Sequence, residues 1–444
     1  MSRWSVPRTL LLVVALTAVA VSGCISDEPV TGEAPPVAPV VLEDALAALR
    51  AGNASANFER LGAFKDGTAQ EIDAWGDYLA VMQNPKLRIL DISDPTNVTL
   101  LSELTLTGVK DVKWSDDGQY IFVGDDGGLA APKTIHVDGT AGIYVIDASD
   151  KSDPKVKSHL PIGPRRGPHM VFYHQTTDGR ELVMGANADV SISEFDRKTG
   201  TLKELARYSP DVVFDWNRDP HVFDLYYQGF AHDMFVMEDP VENRTLMYVA
   251  NWDAGLRIVD LSDPSKPKEV GKWMDYPESH SGNLHTVSTL WLDDRRITVG
   301  SPELGFAVVG GTHYVQGDEL TGVYVWDTTD AANIELLSYW SHPDDVCKYA
   351  GRDQEAFGEE LTSSHNLQFE AGRVYLAHYA CGVLVLDLAD PKAPALIAFD
   401  DDGLDDVWDV IVHKGVSYYG DVSGVFSTRF ALDVLGVDGL SSRA

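Results

Sequence analysis

One phrase recurs along this 444-residue chain and constrains its fold more than any other feature. It is a short aliphatic run, an aspartate, then usually a small residue, a second aspartate and a proline. Full copies lie at Leu87–Pro95, Gly142–Asp150, Gly255–Pro264, Gly322–Asp330 and Gly382–Pro391, and a degraded copy lies at Ile192–Asp196. A unit of this size cannot bury its apolar face without a neighbour, so the phrase announces a repeat array and not a set of independent domains.

The internal order of one unit identifies the array. Ala231–Val236, Thr245–Ala250, Leu256–Asp260 and Lys268–Trp273 are four short β-rich runs separated by turn residues, the pattern of one blade of a β-propeller. Proline after the second aspartate ends the third run, because it lacks an N–H and fixes its own φ, while aspartate bonds the backbone N–H groups of the turn. The aspartates of the phrase are therefore expected to be structural. Laid side by side, the units give seven blades, at 68–107, 108–163, 166–209, 229–276, 283–342, 363–400 and from 405 onward. The last unit lacks a fourth strand. The N-terminal segment 57–64 matches the fourth-strand pattern of Lys268–Trp273 and is expected to cross over and supply it, leaving no open edge. The expected fold class is all-β: a seven-bladed β-propeller of four-stranded blades, closed by an N-terminal strand (57–64) in the last blade.

Over residues 68–430 these repeats resemble the LVIVD-repeat family, propeller proteins of bacterial and archaeal cell surfaces, most closely in the five full motifs. The resemblance implies the fold and a surface location. That family has no generally assigned activity, so the resemblance implies no chemistry.

The N-terminus carries Arg3 and Arg8 and then an apolar stretch from Leu10 to Val21, too short to span a bilayer stably and flanked as a secretion signal is. Val21-Ser22-Gly23-Cys24 resembles the lipobox of prokaryotic lipoproteins, in which cleavage precedes a cysteine whose thiol takes a lipid. The expected organisation is a signal peptide at 1–23, a Pro/Ala-rich tether with a short helix at 24–56, the propeller at 57–432 and a tail at 433–444. Such a protein is secreted and anchored through Cys24 to the outer face of the cytoplasmic membrane or cell envelope, with no other membrane contact. With 35 Lys+Arg against 68 Asp+Glu, a net charge of −33, it repels nucleic acid. Asn53, Asn97 and Asn243 head glycosylation sequons, a short pattern that also arises by chance. Cys347 and Cys381 are the natural disulfide pair of an oxidising compartment.

Histidines recur where the first strand of a blade begins, nearest the axis. His232, His285 and His365 share that site on the fourth to sixth blades, and His169 lies one place along on the third. Matching positions in a ring converge, so these imidazoles are candidate ligands for copper or zinc, with Asp233 as an orienting carboxylate. The alternative is a structural histidine bonded to neighbouring backbone, as in WD-repeat propellers. The second strands end on the same face in polar residues, among them Asn187, Asn251, Trp252, Asp253, His378 and Asp421, which form a candidate ligand funnel. Long insertions at 124–142, 209–230, 301–322 and 342–363 open onto that face too. Two functions follow as expectations: a binding or interaction module that offers this face to a cell-surface protein, glycan or small ligand, or a copper-type oxidoreductase with a histidine cluster at the axis.

Overall fold

The computed structural model describes residues 58–430 except 84, 107, 128–140, 163–166, 188, 212–229, 253, 277–283, 304–306, 310–311, 315–321, 342–362, 380, 402–403 and 405. The expected signal peptide, Cys24, the tether and its helix, Asn53, the C-terminal tail, Cys347 and Asp253 lie outside the described residues, as do most of the four insertions.

Every regular element among the described residues is a β-strand, and the strands form seven four-stranded antiparallel sheets plus a small hairpin of Ala307–Val309 with Thr312–Tyr314. Six sheets run in chain order from the innermost strand outward. The seventh joins the last three strands, Val407–His413, Val416–Asp421 and Gly424–Phe430, to the first strand of the fold, Phe58–Phe64. Phe58 pairs with Phe430 and Phe64 with Val425, so the expected crossover of the N-terminal strand is realised. The fold is a seven-bladed β-propeller.

Its core is divided among the seven gaps between blades. Val81, Leu90, Tyr418 and Val425 fill the gap between the last blade and the first, as Met184, Val190, Met234 and Val249 fill that between the third and fourth. The turn after each repeat phrase is held by its aspartates: Asp260 Oδ1 accepts from Ser262 N at 2.9 Å and Asp263 Oδ1 from Ser265 N at 3.1 Å. Asp387 and Asp390 do the same with Ala389 N and Lys392 N at 2.8 and 3.0 Å. These are turn-forming carboxylates, as their spacing requires.

Blades are also tied at their outer edges. Ser102, Ser158 and Ser338, each on a fourth strand, donate to Lys151 O, Gly200 O and Pro391 O of the next blade at 2.6, 2.6 and 2.7 Å. In the first six blades the third and fourth strands carry a β-bulge at the same place, for example between Ile89 and Leu90 or between Val385 and Leu386. A bulge steepens the local twist, and its repetition gives each blade the same outward turn.

Candidate metal centre

The inner strands place three layers of side chains around the axis. Gln70, His169 and His232 are equivalent, because their N–H groups donate in turn to Met82 O, Ala186 O and Ala250 O at the end of the adjoining strand. The layer they open is completed by Lys110, His285, His365 and Trp408. One residue further along lie Glu71, Asp111, Met170, Asp233, Thr286, Asn366 and Asp409. Two residues beyond these, strand alternation brings Asp73, Lys113, Phe172, Phe235, Ser288, Gln368 and Ile411 inward.

This register corrects the expectation that His169 lies one place along: the residues that match His232–Asp233 are His169–Met170 in the third blade and Gln70–Glu71 in the first. In the first blade two acidic residues flank the first aliphatic, and Asp73 belongs to the next inward position. In the third blade Met170 stands where most blades carry a polar group. His169 is consequently in step with the other three histidines.

The second layer is structural. Asp409 Oδ2 accepts from Ile72 N of the next blade at 3.0 Å and Asp111 Oδ2 from Val171 N at 2.8 Å. Each also caps its own strand through Oδ1, to Val410 N and Val112 N. Asp233 bonds Met234 N and the Thr286 hydroxyl and touches no histidine nitrogen by hydrogen bond, so it does not orient His232 as expected. The inner strands of all seven blades enclose a cavity of about 220 Å³ at this level, which Asp73, Lys113, Asp233, Asn366 and Asp409 help to line. Burial pushes Asp233 up to about 7 and Asp409 up to about 6. Burial opposes the Lys113 charge, but Asp111, Asp73 and Asp409 outweigh it and hold the ammonium protonated, with Nζ 2.8 Å from Asp111 Oδ1.

The histidine layer is built differently. The rings of His169 and His232 lie 4.8 Å apart, those of His232 and His285 3.7 Å, and those of His285 and His365 4.3 Å. His232 Nδ1 is 3.0 Å from His285 O and His365 Nδ1 is 2.5 Å from Trp408 O, so backbone carbonyls fix the Nδ1–H tautomer and leave Nε2 with its lone pair. His169 Nδ1 is held instead by Asp126 Oδ2 at 3.1 Å. His285 is fully buried, and the His365 backbone carbonyl beside it also accepts from Ser301 Oγ at 2.6 Å.

Glu303 reaches this row from the loop after the second strand of the fifth blade. Its Oε2 lies 3.3 Å from His285 Nε2 and its Oε1 4.0 Å from His365 Nε2. Tyr379 donates its hydroxyl to Oε1 at 2.8 Å. One ligand atom each from His232, His285 and Glu303 falls within 4.8 Å of the others. A separation of about 3.3 Å is that of two vertices of a tetrahedron with metal–ligand arms of about 2 Å. Burial drives His232 and His285 well below the ordinary histidine value and His365 down to about 3, so all three are neutral and competent to ligate at pH 7. Burial likewise raises Glu303 to about 7, although about a fifth of its side chain is exposed.

Aromatic rings wall the site. Trp252 meets His232 edge-on at 5.4 Å, Trp408 meets His365 at 5.1 Å, and Phe230 lies 5.7 Å from His232. Trp252, Glu303 and Tyr379 occupy equivalent positions, each the second residue past the facing point of the inner strand. That equivalence was available in the sequence, but Glu303 stands at the mouth of the 301–322 insertion and is not among the ligands expected from it. Of the other funnel candidates, Asn251 is fully buried with both amide atoms unbonded, and His378 is fully buried. Asn187 donates to Gly167 O at 2.6 Å, and Asp421 accepts from Ser423 N at 2.7 Å. Asn97 and Asn243 are exposed in turns. Cys381 is fully buried and disulfide-bonded.

The sequence matches the LVIVD repeat at residues 66–105 and 246–275. No curated protein matches the chain. Among solved structures it is similar to the β-propeller domain of Cps50 (Swd1) from Myceliophteria thermophila, with a TM-score of 0.52 and 11% identity over 84% of this chain and 98% of that one. That likeness concerns the fold alone. The chain is a seven-bladed β-propeller, two segments of which match the LVIVD repeat.

Proposed function

We propose that this is an extracytoplasmic, lipid-anchored propeller that works as a binding module, and that the centre of its histidine-bearing face holds a transition-metal ion through His232, His285 and Glu303, with His365 at the margin. The observation that carries the reading is the convergence of one ligand atom each from His232, His285 and Glu303 within 4.8 Å of one another, with His285 wholly buried and its Nε2 3.3 Å from Glu303 Oε2. Buried polar atoms left poorly satisfied cost about 1–3 kcal/mol each, and a metal ion shared by these three side chains removes that cost. Imidazoles with one carboxylate suit zinc or copper. Copper would add the redox chemistry of the oxidoreductase expectation, whereas zinc would leave a binding role or hydrolytic chemistry.

The test is metal analysis of the full-length protein purified after exposure to copper and to zinc, beside the variant His232→Asn/His285→Asn/Glu303→Gln. One equivalent of either metal in the parent, lost in a variant with unchanged far-ultraviolet circular dichroism, is the expected result. Failure of the parent to retain either metal overturns the reading, as does equal retention by the folded variant.

A further inference from the structure

The ligands of the proposed centre come from the fourth to sixth blades, on one side of the axis. The layer they belong to is completed on the other side by Gln70, Lys110 and Trp408, with His169 turned to Asp126. An ion held by His232, His285 and Glu303 would have its protein ligands on one side of the layer, and Lys110 supplies the cation of the other.

Other cations set into the sheets are ion-paired: Lys113 with Asp111, Arg60 with Asp400, Arg296 with Asp239. Lys110 makes no ion pair or hydrogen bond with any described residue. The register of the inner strand of the second blade sets Lys110 in the same layer as His232, His285 and His365. A divalent ion with two or three neutral imidazoles and one carboxylate leaves a net positive centre, and Lys110 adds another charge. In a chain of net charge −33, this is a local reversal of sign.

We infer that the metal centre takes a small anion, a carboxylate or a comparable inorganic anion, in its open position, held between the ion and the Lys110 ammonium within the aromatic wall of Trp252, Tyr379 and Trp408. The inference rests on the metal reading above and names the class of ligand that the face admits. Lysine serves as a point charge here and not as a shaped fork, so it selects for charge and small size more than for planar geometry. The aromatic wall excludes water and strengthens the attraction.

The probes are azide and formate, titrated into full-length copper-loaded protein and followed by visible absorption, in parallel with Lys110→Gln and Lys110→Arg. The parent should show saturable spectral change with both anions. Lys110→Gln should bind the same amount of copper but need roughly tenfold more anion, the loss expected of one charge contact, and Lys110→Arg should stay within a few-fold of the parent. Copper binding without any response to either anion overturns the inference and leaves the metal reading standing. Equal anion affinity in parent and Lys110→Gln does so as well, since Lys110 then contributes nothing. Absence of copper from the parent overturns the inference, and absence of zinc as well overturns the metal reading with it.

Discussion

At the scale of single residues, the same strand position does two kinds of work one step apart. The histidines of the first layer keep Nε2 free, whereas the carboxylates of the second are consumed by backbone N–H groups of the next blade. Asp409 shows the consequence for stability. Its carboxyl is raised to about 6 by burial against an ordinary value of about 3.9, so between those values the folded chain holds a proton that the unfolded chain has lost. Its contribution is fully present below about pH 4 and is lost as pH rises through 6. Asp409→Asn should remove that part of the descent, up to about 1.4 kcal/mol per pH unit, from denaturant-derived stabilities of the metal-free protein across pH 4–6. Parallel curves for parent and variant would contradict the assignment.

At the scale of strands and turns, much was legible in the sequence. The repeat phrase ends the third strand of five blades because its aspartates close two successive turns, a mechanism local enough to read from residue order. The register of the inner strands was not legible in the same way. Asp73 and Glu71 both satisfy a local polar-then-aliphatic rule, and only cross-strand pairing separates them. Glu303 escaped for a related reason: what makes it a candidate ligand is its approach to histidines on two blades, which chain order does not express. Gly255, which opens the third strand of the fourth blade, shows how tightly the sheets are set. It has φ of +74°, and a Cβ there would lie 2.1 Å from Trp273 O. Gly179 has φ of +85° but nothing within 4 Å of such a Cβ. Gly255→Ala should therefore lower stability by the strain of its φ together with about 1–3 kcal/mol of overpacking, and Gly179→Ala by the strain alone. Equal shifts in their unfolding midpoints would show that the close approach carries no cost.

At the scale of the whole molecule, closure depends on one strand from the far end of the chain. Arg60 on that strand grips both oxygens of Asp400 at 2.9 Å, and Asp400 also accepts from the Tyr419 hydroxyl. Asp400 is 1% exposed, so removing its cation strands a buried charge. Arg60→Leu should cost about 3–5 kcal/mol in chemical unfolding, and adding Asp400→Asn should recover a large part of it. No loss in the single variant would mean that the ring is held by strand pairing and the interblade core alone. Because Phe58 finds its partner only in Phe430, a chain emerging from a ribosome or a translocation pore presents the first strand of its fold hundreds of residues before the last arrives. Six blades can form in passing, but the edge of the first segment stays unsatisfied until synthesis or export is complete. A product truncated anywhere before the final strand thus lacks its latch, and should be told apart from the finished protein by proteases more readily than its length suggests.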